Sequence, residues 1–346
     1  MVTEVEAGQQ VQRDLLQQNN DSLHLPPDHI TPVGGRLAGY LPQWQEITTD
    51  QWVLSIIKEG YCLEFLQLPK DIPPRTQHMN QEHQLLLLEE VKALLQKEAI
   101  EEVPLSQRGK GVYSLYFLIP KRDLTLRPIL DLRILNTYIH SEHFKMVTLQ
   151  DVIPLLKQGD YMAAIDLKDA YFHIPIHPAH RRYLRFTVSG KHYQFKVLPF
   201  GVTTAPRVFT KTLAVVAAHL RREGIHVFPY LDDWLIKSVS HNQCLMHLQR
   251  VISQLHELGF TINHKKSQLL PSQIINFLGA TLDSNLGKAF PNQARIKSIQ
   301  TMIPLFQPRC PIPVKTIMRM LGLMASCISV VPNARLRMRP LQRDLA

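Results

Sequence analysis

Tyr230-Leu231-Asp232-Asp233 sets two adjacent carboxylates in the middle of the apolar stretch Val227–Ile236 (VFPYLDDWLI). Asp is common in turns for the bland reason that its short side chain suits tight backbone conformations. Between two apolar runs, however, a pair of like charges with no counter-ion is unfavourable unless a cation binds. Carboxylate oxygens are hard donors of the kind magnesium prefers, and magnesium leaves room for the phosphate oxygens of a substrate. Two such ions about 3.5–4 Å apart clamp the attacking and leaving oxygens of a displacement at phosphorus. A tight β-hairpin would hold the acidic groups out of the sheet with little freedom. A third carboxylate, Asp166, closes the apolar run Met162–Ile165, with Asp169, Tyr171 and Phe172 just beyond. On spacing alone, a strand-end Asp is equally well read as a helix cap or turn residue.

The elements around these residues are legible from periodicity. Met162–Leu167 reads as a short buried strand. Val227–Ile236 reads as two strands hinged on the aspartates. Ser114–Pro120 and Leu126–Leu132 read as two more strands, joined by the basic turn Lys121-Arg122-Asp123. Helices are expected over Glu82–Glu98, where Leu87, Val91, Leu94 and Leu95 share a face, and from Thr203-Thr204 before Pro206 to the stop at Gly224. Another is marked by Leu245, Leu248, Val251, Ile252, Leu255 and Leu258, with Gly259 at its C-cap. The order strand, helix, hairpin, helix indicates an α+β fold built on an antiparallel sheet.

Bulk properties narrow the class. With 45% hydrophobic and 20% charged residues, the 346-residue chain is not globally disordered and can bury a core of two or three lobes. Its formal charge of +10 favours a polyanionic partner, since neutralising phosphates drives sequence-independent binding to nucleic acid. Cys62, Cys244, Cys310 and Cys327 form no CxxC pair, so neither a zinc site nor a disulfide framework is expected, and a reducing compartment is. The polar, acidic N-terminus is no secretory signal, and no apolar run approaches the roughly 20 residues of a membrane span. The chain reads as soluble and intracellular, in cytoplasm or nucleus, with no membrane partner. Residues 1 to about 35, rich in Gln, Asn and Asp, read as a flexible leader. Leu41–Phe65, with two tryptophans, is apolar enough to dock on something.

Five blocks, in order, resemble the motifs of retroelement reverse transcriptases. They are Arg127–Asn136 (RPILDLRILN), Ala164–Ile176 (AIDLKDAYFHIPI), Val197–Phe209 (VLPFGVTTAPRVF), Tyr230–Asp233 (YLDD), and Gly259–Lys266 with Phe277–Gly279 (GFTINHKK and FLG). The stretch Gly34–Phe65 and the variant LPFGVTTAPRVFTK are similar to DIRS-type, tyrosine-recombinase retrotransposons. The resemblance implies a right-hand polymerase. Its parts would be a leader and N-terminal extension at 1–75, the first part of the fingers at 76–158, a palm with interleaved fingers at 159–285 and a partial helical thumb at 286–346.

It further implies that Asp166, Asp232 and Asp233 hold two Mg2+ ions, with Mn2+ as an alternative, for nucleotidyl transfer from a dNTP to a primer 3′-OH on an RNA or DNA template. The backbone at Asp169 and Ala170 would lie against the triphosphate. Tyr171 would exclude a ribose 2′-OH, while Phe172 packs in the core. Lys121 (or Arg122) and Arg127 would grip the triphosphate. Pro199, Phe200 and Gly201 would contact template and nucleotide, although retroviral enzymes usually carry Gln where Phe200 stands. Lys265 or Lys266 would protonate the leaving pyrophosphate, and Phe277, Leu278 and Gly279 would form the primer grip. Partners implied are an RNA template, a DNA primer or RNA–DNA hybrid, and dNTPs. From Asp283 onward Asp344 is the only further carboxylate, so the chain is expected to stop before any ribonuclease H domain. The alternatives are a ribonuclease H by family association and an inactive remnant that only binds nucleic acid.

Overall fold

The computed structural model describes residues 32–75, 80–120, 126–307, 310–343 and 345. Lys121 and Arg122, together with most of the expected leader, lie outside the described residues. In chain order the main elements begin with α1 (Leu41–Ile47), α2 (Gln51–Glu59) and α3 (Gln81–Gln96). Strands β1 (Ile100–Glu102), β2 (Tyr116–Pro120), β3 (Leu126–Leu130), β4 (Tyr161–Asp166), β5 (Arg185–Val188) and β6 (Lys191–Phe195) follow. Then come α4 (Ala205–Arg222), β7 (His226–Tyr230), β8 (Asp233–Ser238) and α5 (His241–Glu257). The chain continues through β9 (Gln268–Ser272), β10 (Ile274–Phe277), β11 (Ala280–Asp283), β12 (Lys288–Pro291), α6 (Gln293–Gln300), α7 (Val314–Ala325) and α8 (Ala334–Arg343).

The central sheet runs in the order β7-β8-β4-β9, and every neighbouring pair is antiparallel. Because successive side chains of a strand point to opposite faces, the sheet must be covered twice. Ala163, Ile165, Trp234 and Ile236 belong to the large core that includes Val208, Phe209, Leu213 and Val216 of α4 and Leu248, Val251, Ile252 and Leu255 of α5. On the other side Met162, Phe228 and Leu235 join Ile275, Phe277, Ala280 and Leu282, which come from the three-stranded sheet β10-β11-β12. A buried ion pair lies at the end of the sheet remote from the aspartates. Lys237 Nζ is 2.7 Å from Asp160 Oδ2, with side-chain exposures of 6% and 2%.

The helices expected from periodicity are present as α3, α4 and α5, and β2 and β3 pair as expected, with Ile119 opposite Arg127. The second of these strands ends at Leu130 rather than Leu132. Leu258 is the C-cap of α5, and Gly259 follows it with a φ of 90°. A Cβ at Gly259 would lie 2.5 Å from the ring of Tyr40, so this position requires glycine for space as well as for φ.

The stretch from Val33 to Phe65 is not an appendage. Gly34 and Gly35 donate their N–H groups to the carbonyls of Lys97 and Phe172, each at 2.8 Å. Trp44 is fully buried, sets its ring edge-on to Phe260 and donates Nε1–H to the carbonyl of Leu258 at 3.0 Å. The flexible character expected of the first 35 residues therefore does not extend to Val33–Gly35, which is bonded into the fold. Strands β5, β6 and β9–β12 had no reading in the sequence; they are short, and β9 contains Pro271. Residues 291–343 supply the expected helices α6–α8, with Ile317, Met320 and Met338 turned inward.

Replacing Trp44 by Ala removes a fully buried ring and its hydrogen bond, and should lower unfolding free energy by about 3–5 kcal/mol. Urea denaturation monitors this; a loss under about 1 kcal/mol would contradict the packing role.

Candidate active site

The site starts from a two-residue turn. Tyr230 and Asp233 face each other at the end of the β7–β8 hairpin, which leaves Leu231 and Asp232 as the turn residues. Leu231 has a φ of 53°, a left-handed conformation that costs a non-glycine residue about 1–2 kcal/mol. Its side chain packs against the large core, which holds it there. The pairing of β4 with β8 then sets Asp166 directly opposite Asp233. Just past β4, Leu167 N–H donates to the carbonyl of Asp232 at 2.8 Å. Sheet register therefore brings the three aspartates of the sequence prediction to one edge.

Their charges act on one another. Asp233 is pushed up to about 6 by the protein that displaces water around it, then by Asp232 and Asp166, with Lys266 opposing. Asp166 is also raised, first by desolvation; Lys266 and a hydrogen bond from Asn263 pull the other way, while Asp232 adds to the rise. Asp232 and Asp233 nevertheless keep surface open to water, which screens these charges. Among the described residues, no group of three or more His, Cys, Asp or Glu side chains is gathered tightly enough to hold a metal ion. The donor set fits a hard divalent cation: three carboxylates with an unbalanced negative charge, no thiolate, and one lysine as the cationic influence. Of Lys265 and Lys266, both exposed, Lys266 is the one whose charge bears on Asp166 and Asp233.

A cavity of about 540 Å³ is lined by Arg127, Leu130, Asp169, Phe172, Pro199 and Phe200 among others, and by none of the three aspartates. Tyr171 is 7% exposed, and its ring lies 4.8 Å from that of Phe200 and edge-on to Phe209. Burial, followed by Asp232 and Tyr230, pushes the Tyr171 hydroxyl up to about 12, so it stays protonated. Phe172, as expected, is a core residue, whereas Phe200 is 58% exposed. An aromatic ring held this open at a cleft offers a stacking surface. Gly201, with φ of 99°, accepts a hydrogen bond at its carbonyl from Asn136 Nδ2 at 2.8 Å.

Phe277 and Ala280 close a second tight hairpin, with Leu278 and Gly279 as its turn residues at φ of 49° and 76°. Two left-handed residues in succession match the twist of the flanking strands. A Cβ at Gly279 would collide with the Arg295 guanidinium, so β10–β11 lies close against α6.

Two contributors were given no role in the sequence analysis. Lys97 Nζ lies 2.8 Å from Asp169 Oδ1, which neutralises a carboxylate on a residue with φ of 50°. Asn136 ties two of the sequence blocks together, accepting from Thr203 N–H at 2.9 Å as well as bonding Gly201. Asn136 closes the RPILDLRILN block, and a polar residue there was the available signal. The Lys97–Asp169 contact joins residues 72 positions apart and left no local pattern.

Residues 119–282 match the family model described as reverse transcriptase (RNA-dependent DNA polymerase). The chain is 25% identical over 230 residues to the Transposon Tf2-3 polyprotein of Schizosaccharomyces pombe, covering 66% of this chain and 16% of that protein. It is 26% identical over 363 residues to the Genome polyprotein of Petunia vein clearing virus, covering 95% of this chain and again 16% of that protein. The chain thus spans about a sixth of the length of these relatives. Among solved structures, the foamy viral protease-reverse transcriptase in complex with double-stranded DNA shares the fold, with a TM-score of 0.65 and 20% identity over 92% of this chain and 57% of that one. Its complex with an RNA/DNA hybrid gives 0.62 at 20% identity over 88% of this chain and 42% of that one.

Asp233 holds its proton more tightly in the folded site than in the unfolded chain, where its carboxyl titrates near 3.8. Without divalent cations, stability should therefore fall as pH rises from about 4 through about 6, and Asp233→Asn should flatten that slope. Urea midpoints measured across this range test it. Parallel profiles for wild type and variant would contradict the shift.

Proposed function

We propose that this chain, whose residues 119–282 match the reverse transcriptase family model, is the RNA-directed DNA polymerase of a retroelement and extends a DNA primer on an RNA or DNA template. The observation that carries this reading is the placement of Asp166 opposite Asp233, with Asp232 in the adjoining turn. Magnesium ions held by these three carboxylates would lower the pKa of the primer 3′-OH and offset the charge of the triphosphate.

The chain's own residues then divide the work. Arg127, exposed on β3 at the cavity wall, offers a planar fork to phosphate oxygens. The backbone at Asp169 and Ala170 faces the triphosphate, and the Asp169 carboxylate beside it is neutralised by Lys97. Tyr171, wedged between Phe200 and Phe209, has no space to yield and so excludes a ribose 2′-OH. Phe200 and Gly201 form the platform on which the templated base pair stacks. Lys266 delivers a proton from Nζ to the leaving pyrophosphate. The rigid turn Phe277-Leu278-Gly279 orients the primer terminus, and the basic α8 helps hold the duplex by its backbone. The nucleic-acid partners follow the same reading, since the foamy viral neighbours are complexes with double-stranded DNA and an RNA/DNA hybrid. The finer assignment to a DIRS-type element rests on Gly34–Phe65 and on LPFGVTTAPRVFTK; it requires a tyrosine-recombinase frame at the genomic locus, and an integrase there overturns it.

Incorporation of dTTP on poly(rA)/oligo(dT) with Mg2+ tests the activity. Asp166→Asn or Asp232→Asn should reduce it by about 10²–10³-fold or more. Tyr171→Val should raise ribonucleotide incorporation relative to dNTP by about 10–200-fold. If wild type and an Asp232→Asn, Asp233→Asn double variant incorporate equally little, the polymerase reading fails and a nucleic-acid-binding remnant takes its place.

A further inference from the structure

The carboxyl end of β4 lacks a continuous strand partner on the side away from β8. Ala164 pairs with Gln268 at the start of β9, and Leu167 forms an isolated antiparallel bridge with Ile262. Between these two points the opposite chain leaves the ladder. Residues Asn263–Ser267 loop out as a single helical turn, in which the Asn263 carbonyl accepts from Lys266 N–H at 3.1 Å and Ser267 N–H at 2.9 Å. A plain break of this kind would leave the amide of Asp166 without an acceptor, and a part-buried N–H without one is costly.

A side chain closes the gap. Asp166 N–H donates to Ser267 Oγ at 2.9 Å, and the same hydroxyl donates to the carbonyl of Asn263 at 2.9 Å. Asn263 N–H in turn donates to the carbonyl of Asp166 at 2.8 Å. The three bonds form a closed ring in which one hydroxyl stands in for a strand carbonyl. Lys265 and Lys266 sit on the loop that this ring fastens, immediately before Ser267. A bulged partner strand that re-aims side chains beside a site is a recurrent device.

Resting on the polymerase reading, we propose that Ser267 is a positioning residue: its hydroxyl braces the backbone of Asp166 and holds the loop that presents Lys266 to the three carboxylates. Ser267 touches neither substrate nor ion; it acts through Asp166 and Lys266. The requirement is for a hydroxyl that both accepts and donates, which Thr supplies and Ala does not. A residue that braces a ligand governs how well the ion is held, so the half-saturating Mg2+ concentration is the sensitive quantity.

The test compares wild type, Ser267→Ala and Ser267→Thr by two measurements. In the metal-free protein, hydrogen exchange of the peptide containing Asp166 should speed up by about 10-fold in the Ala variant, while the core of β8 keeps its protection. In primer extension, the half-saturating Mg2+ should rise by about 10-fold or more in the Ala variant. Thr should restore both to near wild-type values. Unchanged exchange at Asp166 overturns the brace. So does faster exchange with an unchanged Mg2+ midpoint, because the serine would then be structural only. A Thr variant no better than Ala overturns it as well. A wild type that extends no primer counts against the polymerase reading instead, and the exchange measurement then decides the brace alone.

Discussion

The register in which β8 pairs with β4 places Asp233 opposite Asp166, and the rest of the site depends on that pairing. A slip of β8 by one residue would turn its side chains to the wrong faces. It would move Trp234 and Ile236 out of the helix-covered core and carry one aspartate off the edge. The alternation of large apolar residues along WLI therefore fixes a polar geometry at the strand's end. The Lys237–Asp160 pair adds to this at the opposite end of the sheet. Both charges are nearly fully buried, and shifting one past the other would leave each without its partner in a dry interior.

Against that fixed frame the carboxylates are held in an unfavourable state. Desolvation and mutual repulsion raise Asp166 and Asp233, and Lys266 offsets only part of this. Leu231 carries backbone strain at the same turn. Strain and repulsion at one edge are borne by a well-packed sheet with a helix layer on one face and a second sheet on the other. At the cavity, Lys97 neutralises the Asp169 carboxylate, and the Tyr171 ring packs against those of Phe200 and Phe209.

Much of this was legible in the sequence because it is written in local patterns. Strand β4 ending on Asp166, the hairpin hinged on Asp232, and helices α3–α5 follow from periodicity and turn chemistry. Two features were not local and so were missed. The docking partner of Val33–Phe65 is one: Trp44 meets Leu258, 214 residues away, and composition could say only that Leu41–Phe65 would dock on something. Strand β9 resumes pairing after a loop, and its sequence QLLPS has neither alternation nor a clean boundary. The choice between Lys265 and Lys266 likewise required the structure, in which the charge of Lys266 bears on Asp166 and Asp233. Lys121 lies outside the described residues, so its expected grip on the triphosphate adds nothing to the geometry.

In the proposed reading, the three aspartates on one sheet edge form a divalent-cation site completed by substrate. Electron paramagnetic resonance of Mn2+ measures this directly, using the chain with an RNA template, a dideoxy-terminated primer and dTTP. About two ions should bind per wild-type complex, and an Asp166→Asn, Asp232→Asn variant should hold only the Mn2+ that dTTP binds by itself. Equal Mn2+ binding by the two proteins would contradict it.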